Sequence, residues 1–119
     1  MKNKKVGDNE IYAYTCLSVR DEAVLKRAMQ YNPGNNKDAL KMQRYLASNL
    51  PEGMKPPHHI YLELKRELNN KEEMMGAFMD LSRFYPKDPD VIKKAKQIVN
   101  DPTADKFLVD MAQALLNPN

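Results

Sequence analysis

From residue 70 onward the apolar positions fall into three blocks, each opened by a capping residue. Asn70 and Glu73 stand three apart, the spacing of a capping box, and open the segment 71–85. Within it Met74, Phe78, Leu81 and Tyr85 recur in steps of three and four, and Met75 and Met79 widen that stripe. Asp88 before Pro89 puts a carboxylate at the N-cap and a residue without an N–H at the first helical position. A helix is therefore predicted over 89–100, with Val91, Ile92, Ala95, Ile98 and Val99 on one face. Asp101-Pro102 repeats the device and predicts a last helix over 102–116, with Ala104, Phe107, Leu108, Met111 and Leu115 inward.

The same logic works upstream. Pro56-Pro57 opens a helix through Leu68 with Ile60, Tyr61, Leu64 and Leu68 as its apolar side. Asn36 caps 37–49, where Ala39, Met42, Tyr45 and Leu46 are apolar, and Ser18 with Asp21 forms a capping box for 19–31. The segment 50–56, LPEGMKP, reads as turn formers, and Asn32–Asn36 as a loop. Residues 10–17 carry two readings. With period two they form a strand, favoured by Tyr and Ile; with period 3.6, Ile11, Tyr14 and Leu17 extend a first helix. A lone strand would need a partner from a second copy, so helix is preferred. The fold class is all-α: a small bundle of five to six short helices with short connections, with a short N-terminal strand at 10–17 as the alternative.

A chain of 119 residues with 42% hydrophobic content supports one core, so a single helical domain over 10–117 is expected behind a flexible basic arm, 1–9, carrying Lys2, Lys4 and Lys5. Eighteen consecutive apolar residues occur nowhere, and no apolar signal-peptide core follows MKNKK. Cys16 is the only cysteine, which excludes an intramolecular disulfide and fits a cytoplasmic home. Its surroundings carry no motif, so a small buried hydrophobe is expected there.

Charge changes the picture more. Residues 1–50 hold nine Lys/Arg against five Asp/Glu, a balance of +4, while 51–119 hold ten against eleven, a balance of −1. The front half could face a polyanion through Lys26, Arg27, Lys37, Lys41 and Arg44. On the strand reading, strand, helix, Gly34-containing turn and helix across 10–50 resemble the ribbon-helix-helix arrangement. That resemblance implies two chains pairing their strands to read the major groove. Tyr12, Tyr14 and Cys16 would then face the groove, where amides and cations are usual.

Catalytic and metal chemistry find little support. His58 and His59 point about 100° apart on a helix, and His59 with Glu63 supplies two ligands where zinc normally needs three or four. Glu63 and Glu67 share a face, but Lys65 and Arg66 interrupt them as on any polar helix side. No cofactor is implied and no enzyme is expected. Eight methionines suit adaptable packing, with Met29, Met42, Met74 and Met111 inward. An apolar partner groove is expected around Met54, Met75 and Met79. The expectation is a protein-binding adaptor, accessory or regulatory protein, with homodimerisation a side prediction and nucleic acid the alternative partner.

Overall fold

The computed structural model describes residues 6–16 and 20–117. These hold seven α-helices and no strand: α1 (Asp8–Cys16), α2 (Glu22–Ala28), α3 (Lys37–Ala47), α4 (His58–Leu68), α5 (Met74–Phe84), α6 (Pro89–Val99) and α7 (Lys106–Leu116). The all-α class holds, but the helices number seven rather than five to six. The chain divides into two compact units, Met1–Ile60 and Tyr61–Asn119, with the boundary inside α4.

The extra helix comes from the N-terminal region. Asp8 and Glu10 place carboxylates in the first turn of α1, where the helix dipole favours them, and Gly7 O accepts from the N–H groups of Glu10 and Ile11. Asp21 is extended (φ −78°, ψ 119°), and its carboxylate accepts from Ala23 N and Val24 N, starting a separate helix. Residues 8–16 are thus helical, against the strand alternative, and the resemblance to the ribbon-helix-helix arrangement goes with it. Leu17 and Ser18 lie outside the described residues, as do Lys2, Lys4 and Lys5. The expected arm over 1–9 meets the described chain at its end, where Val6 is buried and Asp8 already belongs to α1.

In the first unit α1, α2 and α3 pack pairwise around Ile11, Leu25, Ala28, Ala39 and Leu46, each at most 2% exposed. Each buried Leu or Ile contributes about 1.5–3 kcal/mol over an exposed one. Two polar ties organise this core. Gln43, fully buried on α3, donates from Nε2 to the carbonyls of Ala28 and Tyr31, both at 3.0 Å. The Ala28 carbonyl closes α2, where it also accepts from Tyr31 N at 3.2 Å, and the Tyr31 carbonyl lies just beyond the helix, where helical partners run out. Tyr31, 2% exposed, donates through its hydroxyl to Asp8, which also accepts from Asn36 Nδ2 at 2.7 Å. Asn36 in turn caps α3 by accepting from Ala39 N at 3.0 Å. After α3, Met54 N closes a turn onto Pro51 O, and Gly53 takes φ +90°, a backbone state that suits glycine.

In the second unit α5, α6 and α7 pack together, most extensively α6 on α7, around Phe78, Leu81, Val91, Ala95 and Ala112. Asp88 caps α6 by accepting from Asp90 N at 2.9 Å, with Pro89 at the first position as expected. The other two starts fall later in the chain than their spacing predicts. Asn70 Oδ1 takes Glu72 N in a local turn, and α5 opens at Met74 with no side-chain cap from Glu73. Asp101 is held by the backbone N–H and hydroxyl of Thr103, so Asp105, accepting from Phe107 N at 2.8 Å, caps α7 instead. Among the described residues, no helix is long and apolar enough to cross a membrane.

Candidate functional site

The residue types that would carry catalysis or a metal are dispersed. Among the described residues no three of His, Cys, Asp and Glu gather where they could hold an ion. His58 is exposed, while half-buried His59 sits with Nε2 2.6 Å from Gln43 Oε1. Both hydrogens of the Gln43 amide are committed to carbonyls, so Oε1 can only accept, which fixes the proton on His59 Nε2. Burial, with the neighbouring His58 adding to it, holds the His59 pKa below its ordinary value. Glu63 is bonded to Arg66 at 2.6 Å, and Glu67 is buried. Cys16 is exposed rather than buried: it ends α1, off the side that carries Ile11.

The five cations expected to form one face are placed unequally. Lys37, Lys41 and Arg44 follow one another at four- and three-residue steps and share a side of α3. Arg27, on α2, turns to α1: its Nε and Nη2 donate to Glu10 at 2.5 and 3.2 Å, and Tyr14 donates to the same carboxylate. The bond from Arg27, then that from Tyr14, holds Glu10 below the usual carboxylate range. Arg44 Nη1 donates to Ser48 Oγ at 2.7 Å. Lys26, Lys37 and Lys41 are exposed and, among the described residues, outside any ion pair. Tyr45, expected inward, is instead 59% exposed, one turn beyond Lys41.

The three methionines of the expected groove fall in different units. Met54 is half-buried behind the Gly53 turn and belongs to the first unit. Met75 and Met79 belong to the second and are 41% exposed each, one turn apart on α5. Ala77 and Phe84, rather than these two, widen the buried side of α5. Leu62 on α4 and Phe107 on α7 are the other large apolar side chains exposed among the described residues of this unit. Phe107 was expected inward; as the second residue of α7 it lies in the turn that the shift of the cap to Asp105 has moved. The chain matches no protein-family model, no curated protein and no solved structure.

One cluster escapes a sequence reading because its members are distant along the chain. Lys65 Nζ lies 2.8 Å from Asp90, 2.9 Å from the Tyr61 hydroxyl and 3.3 Å from Asp88, one acceptor for each of its hydrogens. It also sits 4.7 Å from the Tyr61 ring centre, and Tyr85 meets that ring edge-on at the same centroid distance. Burial opposes ionisation of Asp88, yet bonds from Tyr61, Asp90 N and Lys65 outweigh it and hold the carboxyl below its ordinary value. Asp88-Pro89 gives a local signal for a cap; nothing local gives Lys65 as the partner.

Proposed function

We propose that this protein is a non-enzymatic adaptor, accessory or regulatory protein that binds another protein through the exposed side of α5. The observation that carries the reading is Met75 and Met79, side by side in solvent on a helix whose opposite face is buried. Isolated exposed apolar residues are ordinary, whereas two flexible thioether side chains one turn apart make a continuous adaptable strip. Such a strip suits the apolar face of a partner helix, anchored at i and i+4 positions. The lone cysteine, exposed on α1, is in keeping with the reducing cytoplasm as the place of action.

The test is a photo-crosslinking amino acid placed at Met79 and, as a control, at the exposed Lys96, with expression in the source cells. One discrete adduct at position 79, absent at position 96 and abolished by Met75→Glu, is the expected result. Equal labelling at both positions, or an adduct indifferent to Met75→Glu, contradicts it.

A second reading, nucleic-acid binding through the first unit, is favoured by Lys37, Lys41 and exposed Tyr45 on α3. These offer two ammonium groups without an ion pair among the described residues and a ring on which a base can stack. Anisotropy with labelled single-stranded and duplex DNA at about 50 and 200 mM salt decides it. Salt-sensitive micromolar binding, weakened by Lys41→Gln, supports this reading; no binding at the lower salt removes it.

A further inference from the structure

A second surface of the Tyr61–Asn119 unit has a different chemistry from α5. Lys65, Leu68 and Asn69 lie on one side at the end of α4, and Asp90, Lys93, Lys94 and Gln97 on one side of α6. Each set follows the three- and four-residue steps of a single helix face. Together they line a cleft of about 250 Å³.

The charges in the cleft are not equivalent. Lys65 is fully engaged by Tyr61, Asp88 and Asp90. Among the described residues Lys93 and Lys94 have no ion pair, and the half-buried Lys94 has no partner for its ammonium. The side-chain amides of Asn69 and Gln97 likewise have no partner within the described residues. Two cations and two amide donors therefore converge over an apolar floor supplied by Leu68, which is 3% exposed. Ordinary surface lysines stand apart in open water; these share a concave site where screening is weaker.

We propose that this cleft binds a small phosphorylated molecule, with Lys93 and Lys94 holding the phosphate oxygens and Asn69 and Gln97 donating hydrogen bonds. The volume fixes the scale. Drug-sized ligands fill roughly 300–1,000 Å³, so a cleft of about 250 Å³ takes a phosphate group with a few attached atoms rather than a nucleotide. Ammonium groups act as point charges for phosphate, which accepts up to three charge-assisted bonds on one side. Asp90 sits at the rim, 65% exposed, and its carboxylate opposes a dianion; the bond to Lys65 reduces but does not remove that opposition. Asp90 thus sets an upper limit to affinity and gives the proposal a sign that a loose collection of lysines would not produce.

The experiment is a titration of the full chain with inorganic pyrophosphate, followed by backbone amide NMR against sodium chloride of matched ionic strength. Saturable shifts confined to residues 65–69 and 90–97 are expected. Lys94→Gln is expected to weaken binding about tenfold, the loss of one charge-assisted bond. Lys94→Arg keeps the charge and retains binding. Asp90→Asn tightens it, because the opposing charge goes and Lys65 loses part of its counter-charge. Lys93→Gln, at an exposed position, tests the same prediction should Lys94→Gln unfold. Shifts that do not saturate by about 10 mM, or that spread equally to Lys37 and Lys41, overturn the proposal. So does an unchanged affinity in both glutamine variants. The α5 reading stands or falls separately, since Met75 and Met79 take no part in this cleft.

Discussion

At the scale of single residues, two side chains in the first unit answer for more than their sequence context suggests. Gln43 is a fully buried amide that satisfies the end of α2 and receives a proton-bearing ring nitrogen from His59. Gln43→Met keeps the bulk but takes the amide donor from the Tyr31 carbonyl and the acceptor from the His59 N–H, and leaves the Ala28 carbonyl with the Tyr31 N–H alone, so it is expected to cost about 1–3 kcal/mol by urea unfolding. Nothing in the pattern ALKMQRYLA marks Gln43 as the inward residue and Tyr45 as the outward one. The apolar ranking puts Tyr45 inside, and only the carbonyls of a preceding helix reverse it. His59 gives a dependence on pH with a defined sign. Its native pKa lies below the ordinary 6.5, so the unfolded chain binds the proton more readily. The stability it contributes is complete above that value, falls as pH drops below it, and stops falling once the native ring is also protonated. Urea midpoints measured from pH 8 down to about pH 5 are expected to decline in the wild type and to decline less in His59→Gln.

At the scale of elements, caps decided what could be read. Asn36 and Asp88 were legible because a short side chain facing free N–H groups has few other uses at a helix start, whereas Asp21, expected inside the first turn of a helix over 19–31, is itself the cap of a shorter helix, α2. Asn70 and Asp101 carry the same local signal and fail as caps, because each is satisfied in a turn of its own before the helix begins. That competition between a turn and a cap is set by the residues that follow: Thr103 offers Asp101 a hydroxyl, and Asp105 supplies a second candidate. Asp88 also separates capping from charge. Asp88→Asn keeps a capping oxygen and loses the carboxylate held by Tyr61 and Lys65, an expected cost of about 1–2 kcal/mol. Asp88→Ala loses the cap too and is expected to cost about 1 kcal/mol more. Equal unfolding free energies for the two variants would show that the carboxylate's tertiary partners do all the work and the cap none.

At the scale of the whole molecule, the three- and four-residue spacing of apolar positions supported an all-α chain, and the seven helices of the described residues carry that through. The functional surfaces were less legible. The cations of the front half are close in sequence, but Arg27 is tied to Glu10 and Arg44 to Ser48, which leaves Lys26, Lys37 and Lys41. Met75 and Met79 border the stripe of Met74, Phe78 and Leu81, so the sequence allows them either as its widening or as a partner groove, and which border is buried depends on where α6 and α7 pack. Binding through α5 therefore requires those two side chains to be exposed. The most direct test is NMR of methionine methyl groups with a paramagnetic solute that broadens whatever it reaches. The prediction is strong broadening at Met75 and Met79, and weaker broadening at Met29, Met42, Met54, Met74 and Met111, all half-buried. Protection of Met75 and Met79 to the level of the other five would contradict the binding surface placed on α5.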